Sequence, residues 1–160
     1  MSIDPSTVDM RSTSALREAF GNAAEPTVEH LVGEHRGEYV GPLWLRTVGP
    51  VMMRLGRMPG WYGKRFTPAP DGTAAMLVGV NLLRSGEQVI DSIPMTAAVG
   101  PSRRDGRPAL IIGYPVDAPF PWPRVTDELR PFGDGALIGV TFGIPGSLPG
   151  GTPFLLRRIG

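Results

Sequence analysis

The sequence predicts a mainly β domain, an antiparallel up-and-down barrel of about eight strands with an N-terminal helical arm and a helical insertion near 42–58. Three observations predict it. Short apolar or alternating runs recur from residue 33 onward. Turn pairs such as Ser85-Gly86, Asp105-Gly106 and Asp134-Gly135 separate several of them, as antiparallel hairpins require. Finally, 22 Gly and 18 Pro make up a quarter of the 160 residues yet fall between apolar runs rather than in a low-complexity tract.

Residues 1–26 are polar and read as an arm packed on the outside. Within it a short helix is expected over 14–23, with Ser14 as cap and Leu16, Ala19, Phe20 and Ala23 on one face. Residues 27–160 read as one barrel domain. A further helical turn is expected over 27–31, then a first strand over 33–40 whose alternation puts Gly33, His35, Gly37 and Tyr39 on one face.

Residues 42–58 form the most apolar segment, with Trp44, Met52 and Met53 among its large side chains and Arg46, Arg54 and Arg57 interrupting it. Gly49-Pro50 is expected to split it into two short helices, since proline suits a first helical turn and disrupts an interior one. Such a segment is either a mobile lid over the barrel mouth or a fixed plug in its core, and the plug is the favoured reading.

Seven more strands are expected at 61–67, 74–83, 88–98, 109–114, 124–131, 136–142 and 154–159. Closing eight strands into a cylinder removes sheet edges and leaves room for one small ligand; a flattened sandwich is the competing architecture.

Composition excludes several functions. The formal charge is +1 and the arginines are scattered, so no nucleic-acid footprint is present. No apolar run approaches the roughly 18 residues of a membrane span. With no cysteine there is no disulfide framework or thiolate chemistry. The first residues lack a basic segment followed by an apolar one, so no signal peptide is expected and the cytoplasm is the expected location.

Several strings carry a family resemblance: Gly33-Glu34-His35-Arg36-Gly37, the segment 60–66, Asp127-Glu128-Leu129-Arg130 with Leu137-Ile138-Gly139, and the closing 153–158. Their order and spacing resemble the GXWXG and DUF4334 pair of lipocalin-like bacterial domains, with His35 where that family's first motif carries tryptophan. The resemblance implies a calycin-type barrel and no settled activity.

The residues themselves nominate a site. Two-residue periodicity places Asp127 with Val125 and Leu129, so if that face points inward Asp127 is a carboxylate among apolar neighbours. It is then either a general acid or base tuned by burial, or half of a structural ion pair with an arginine. In 60–66 the same period puts Trp61, Gly63 and Arg65 on one side and Tyr62, Lys64 and Phe66 on the other; Lys64, the only lysine, is solvated or a pocket cation. Asp91 and Tyr114 are polar groups in apolar runs. His35 shares a face with Tyr39, as a pocket group or a satisfied wall histidine. The helix-to-strand change between His30 and His35 keeps the two rings from converging, so no metal site is expected.

Phosphate-loop, dinucleotide and nucleophile-elbow patterns all fail, so no cofactor is expected. The expected partner is an apolar small molecule, and a homodimer is compatible with the sequence. The expected catalytic set is Asp127 or Asp91 as proton acceptor with Tyr114, His35 or Lys64 as donors. The expected wall is Trp61, Tyr39, Trp44, Met53 and Arg65. A cofactor-independent isomerisation, cyclisation or elimination fits such a set, and a non-catalytic carrier or sensor is the alternative.

Overall fold

The structure, a computed structural model, describes residues 3–72, 75–145 and 147–159. Eight antiparallel strands close in sequence order into a barrel: β1 (Gly33–Tyr39), β2 (Trp61–Pro68), β3 (Met76–Ser85), β4 (Gln88–Pro101), β5 (Pro108–Gly113), β6 (Thr126–Pro131), β7 (Ala136–Phe142) and β8 (Thr152–Arg158). β1 pairs with both β2 and β8, which completes the ring. The barrel, not the sandwich, is the architecture. Ala74, where the third strand was expected to begin, lies outside the described residues.

The wall separates two apolar clusters. Inside, Leu31, Phe66, Leu77, Met95, Leu110, Leu129, Leu137 and Leu156 pack together. Outside, Ala136, Ile138 and Val140 of β7 and Leu155 of β8 pack against Leu16, Ala19, Phe20 and Ala23. Strand alternation makes the split: Leu137 faces in while Ile138 faces out.

The outer cluster is covered by α1 (Thr13–Asn22), which lies against β7 and β8. The arm therefore packs on the outside, as the sequence predicts, although its cap differs. Ser12, not Ser14, accepts the Ala15 amide at 3.1 Å. Arg130, fully buried on the outer face of β6, fastens the helix by donating to the Phe20 carbonyl at 3.0 Å.

Residues 42–58 depart from expectation in two ways. They form one continuous helix, α2 (Leu43–Leu55), running through Pro50. Proline removes the hydrogen bond to the carbonyl of residue 46, and Pro50 and Arg46 are both exposed, so the loss falls on the solvent side of the helix. Moreover, no residue of α2 is buried, so the helix does not plug the core. It lies across the open end of the barrel, seated through Gly49, where a Cβ would come within 2.5 Å of the Tyr39 ring.

Candidate functional site

The barrel interior is filled at one end and hollow at the other. Along β6 the boundary falls between Leu129, in the inner core, and Asp127, in the cavity wall; along β8 it falls at Phe154, which packs with Leu156 in the inner core and also lines the cavity. Above it lies a cavity of about 230 Å3, walled by Tyr39, Trp61, Tyr114, Trp122 and Phe154 and roofed by Trp44, Val48, Met52 and Met53 of α2.

Its polar groups gather at the floor. Lys64 Nζ lies 3.2 Å from Asp127 Oδ2, and the two side chains are only 3% and 5% exposed. The same ammonium donates to the Tyr114 hydroxyl at 2.8 Å and to Asn81 Oδ1 at 3.1 Å, so each of its three protons has an acceptor. The Tyr114 hydroxyl in turn lies 3.3 Å from Asp127 Oδ2. Thr141 donates to the other carboxylate oxygen at 2.8 Å. Asn81 also accepts from the Trp61 indole at 3.1 Å, which fixes that ring in the wall.

Two β-bulges bring these residues together. In β2, Trp61 and Gly63 face successive residues of β3, Leu83 and Leu82, so Tyr62 is an extra residue. The strand's phase changes there, and Trp61 and Lys64 both point inward despite their odd spacing. Between β3 and β4, Val80 faces Pro94 while Asn81 faces Ser92, leaving Ile93 extra, at φ 30°. Asn81 donates to the Ile93 carbonyl at 3.0 Å, so the residue that holds Lys64 also pins this bulge.

Burial governs the electrostatics. Desolvation pushes the Lys64 ammonium below the usual lysine range, and the Asp127 charge opposes that fall. The Tyr114 hydroxyl is held well above its ordinary range by burial and by the neighbouring carboxylate. Tyr39, half-buried, is raised by desolvation to about 12.

Of the residues nominated from sequence, Asp127, Tyr114, Lys64, Trp61, Tyr39, Trp44 and Met53 line the cavity. Three do not. Asp91 stands on the outer face paired with Arg65, their side chains 53% and 38% exposed. The bulges are the physical reason: strict alternation set Arg65 beside Trp61, whereas the extra Tyr62 sends it outside. His35 points inward and is buried, but below the cavity, its Nε2 bonded to the Leu31 carbonyl at 2.9 Å and its Nδ1 without a hydrogen-bond partner among the described residues. Burial holds its pKa below the usual histidine range. The expected partner of Asp127, an arginine, is corrected to Lys64.

Asn81, Thr141 and Trp122 belong to the site and were not nominated. Asn81 had a signal, being the sole polar side chain in Leu77-Val78-Gly79-Val80-Asn81-Leu82-Leu83. Thr141 and Trp122 had none beyond their residue type. Among the described residues no group of three His, Cys, Asp or Glu could hold a metal ion.

Fold and site thus define a closed eight-stranded barrel with a helix-roofed apolar cavity and a buried polar floor. Comparison with a crystal structure of a protein from Thermomonospora curvata supports the fold: the TM-score is 0.51 at 17% identity, over 92% of this chain and 87% of that one. No protein-family model matches the chain. A segment of it is 36% identical over 85 residues to a histidinol-phosphate aminotransferase of Methanococcoides burtonii, covering 49% of this chain. The match spans only 24% of the aminotransferase.

Proposed function

We propose that the barrel takes up one compact, uncharged, largely apolar small molecule and anchors its single hydroxyl group on the Lys64, Tyr114 and Asp127 cluster. The observation that carries this reading is the buried ion pair at the floor of an otherwise apolar cavity. Burying two charges costs several kcal/mol each before their attraction is counted, so stability alone gives little reason for such a pair. Its charges cancel, which favours a neutral polar group over a carboxylate or an amine. For scale, an engineered apolar cavity of about 150 Å3 accepts benzene, and drug-sized sites begin near ~300 Å3; at about 230 Å3 the ligand is a ring with a short substituent. The lipocalin-like resemblance agrees with a ligand-binding barrel.

A second reading is cofactor-independent catalysis, and one observation favours it. Tyr114 accepts from Lys64 while facing Asp127, and among the described residues Asp127 Oδ1 has Thr141 as its only hydrogen-bond partner, which leaves that oxygen able to accept a further proton. Asp127 is then the base that removes a proton from the ligand and Tyr114 the acid that supplies one, an isomerisation, cyclisation or elimination.

Native mass spectrometry of the purified protein, followed by solvent extraction, tests the first reading. A small neutral compound is expected to copurify, or the emptied protein to bind the neutral probe benzyl alcohol one to one by titration calorimetry, with Val48→Trp abolishing uptake by filling the roof. Neither ligand nor probe uptake would overturn it. The catalytic reading fails if Asp127→Asn, folded and ligand-bound, converts the extracted compound as fast as the parent protein.

A further inference from the structure

The apolar side of α2 extends past the part that roofs the cavity. Trp44, Val48, Val51 and Leu55 follow the spacing i, i+4, i+7, i+11, which places them in one stripe along the helix. They are 53%, 42%, 54% and 72% exposed, and Leu43 beside them is 70% exposed. Just beyond the helix, Trp122 donates to the Gly56 carbonyl at 2.5 Å and ties the 115–121 loop to the C-terminal end of α2. That loop exposes Val116 at 94% and Phe120 at 65%. Exposed large apolar side chains gathered on one helix face mark an interaction site.

Charge identifies the partner. From residue 39 to residue 70 the chain has no acidic residue, while Arg46, Arg54 and Arg57 project from or just beyond α2. None of the three is in an ion pair among the described residues. The 115–121 loop adds Asp117, followed by Arg124, and leaves the cationic excess in place. Arg54 flanks the stripe and Arg57 follows just beyond the helix, so a second copy of the same face would bring arginine against arginine with no acid on the helix to receive them. An anionic lipid surface meets both halves of the pattern, headgroups for the arginines and acyl chains for the stripe, with Trp44 at the depth that tryptophan favours.

We propose that α2 and the 115–121 loop dock the barrel on an anionic bilayer surface, with the helix lying in the interface and the cavity mouth beneath it. This surface is independent of the ligand reading, because Val51 and Leu55 lie outside the cavity wall.

The test is co-sedimentation of the full chain with phosphatidylcholine vesicles, with and without about one-third phosphatidylglycerol. Binding is expected only with the anionic lipid, accompanied by a blue shift of tryptophan emission and weakened by added salt. Val51→Asp with Leu55→Asp, both at exposed positions, is expected to abolish it. Arg54→Gln with Arg57→Gln should weaken it about 30-fold, at roughly fivefold per arginine. Circular dichroism of each variant confirms that the barrel remains folded. Equal binding to neutral vesicles, absence of binding to both, or sedimentation of a dimer that Val51→Asp dissociates would each overturn the proposal.

Discussion

Lys64 and Asp127 join opposite walls of the barrel: β2 and β6 are four strands apart in either direction around the ring, and their side chains meet at 3.2 Å. The pair spans the interior and divides filled core from open cavity. Removing one partner strands the other charge away from water. Asp127→Asn is therefore expected to lower stability by about 3–5 kcal/mol, measured by urea unfolding, whereas Lys64→Met with Asp127→Leu should recover most of it. The double variant should fold yet lose affinity for the cavity ligand. A cost below about 1 kcal/mol for the single change would show that the charges are already neutral or hydrated.

The second prediction concerns pH. His35 is buried as the neutral ring, and its folded pKa lies below the ordinary 6.5. Below that value the unfolded chain binds a proton that the native protein resists, so acid favours unfolding. The contribution of His35 is complete above pH 6.5 and is lost as pH falls from there towards the folded pKa. Unfolding free energies measured at a series of pH values should drop through this window, and His35→Gln should flatten the drop. An unchanged slope in the variant would assign it to another group.

A third prediction follows from a close approach. Gly37 of β1 faces inward beneath the Trp61 ring, and a Cβ there would lie 2.1 Å from its Cη2. Gly37→Ala must push the indole out of the cavity wall and away from Asn81. Overpacking of this kind costs about 1–3 kcal/mol. The expected result is that loss together with weaker probe uptake; full stability with unaltered tryptophan emission would contradict the packing described.

Most of the barrel was legible because its determinants are local. The apolar run 136–142 after the Asp134-Gly135 turn marks β7 with the bounds observed, and the two-residue period grouped Asp127 with Val125 and Leu129 without saying which side of the wall that face takes. The site was legible where strands are regular and misread where they are not. A bulge has no fixed sequence signature, so the extra Tyr62 and Ile93 were invisible, and with them the outward turn of Arg65 and Asp91. The continuity of α2 was hidden for another reason: whether Pro50 breaks a helix depends on whether the loss falls on the solvent side, a tertiary fact.

The last prediction concerns the arm. Arg130 is fully buried on the outer wall and uses its whole guanidinium: two bonds of 2.8 and 2.7 Å to Asp105, one of 3.0 Å to the Phe20 carbonyl, and others to the carbonyls of Pro108 and Arg107. Its charge also lies 4.4 Å from the centre of the Phe20 ring. Hydrogen bonding from Arg130 lowers Asp105 from 3.8 to about 2. Because the folded pKa is depressed, this stabilisation is present above pH 3.8 and lost as pH falls towards 2. Lysine cannot reproduce the planar fork, so Arg130→Lys should fail to rescue what Arg130→Met removes. In both variants the α1 amides should exchange hydrogen faster than those of β7, and the acid transition assigned to Asp105 should disappear. If α1 keeps its protection in Arg130→Met, apolar packing of Leu16 and Phe20 alone holds the arm, and the guanidinium is incidental to it.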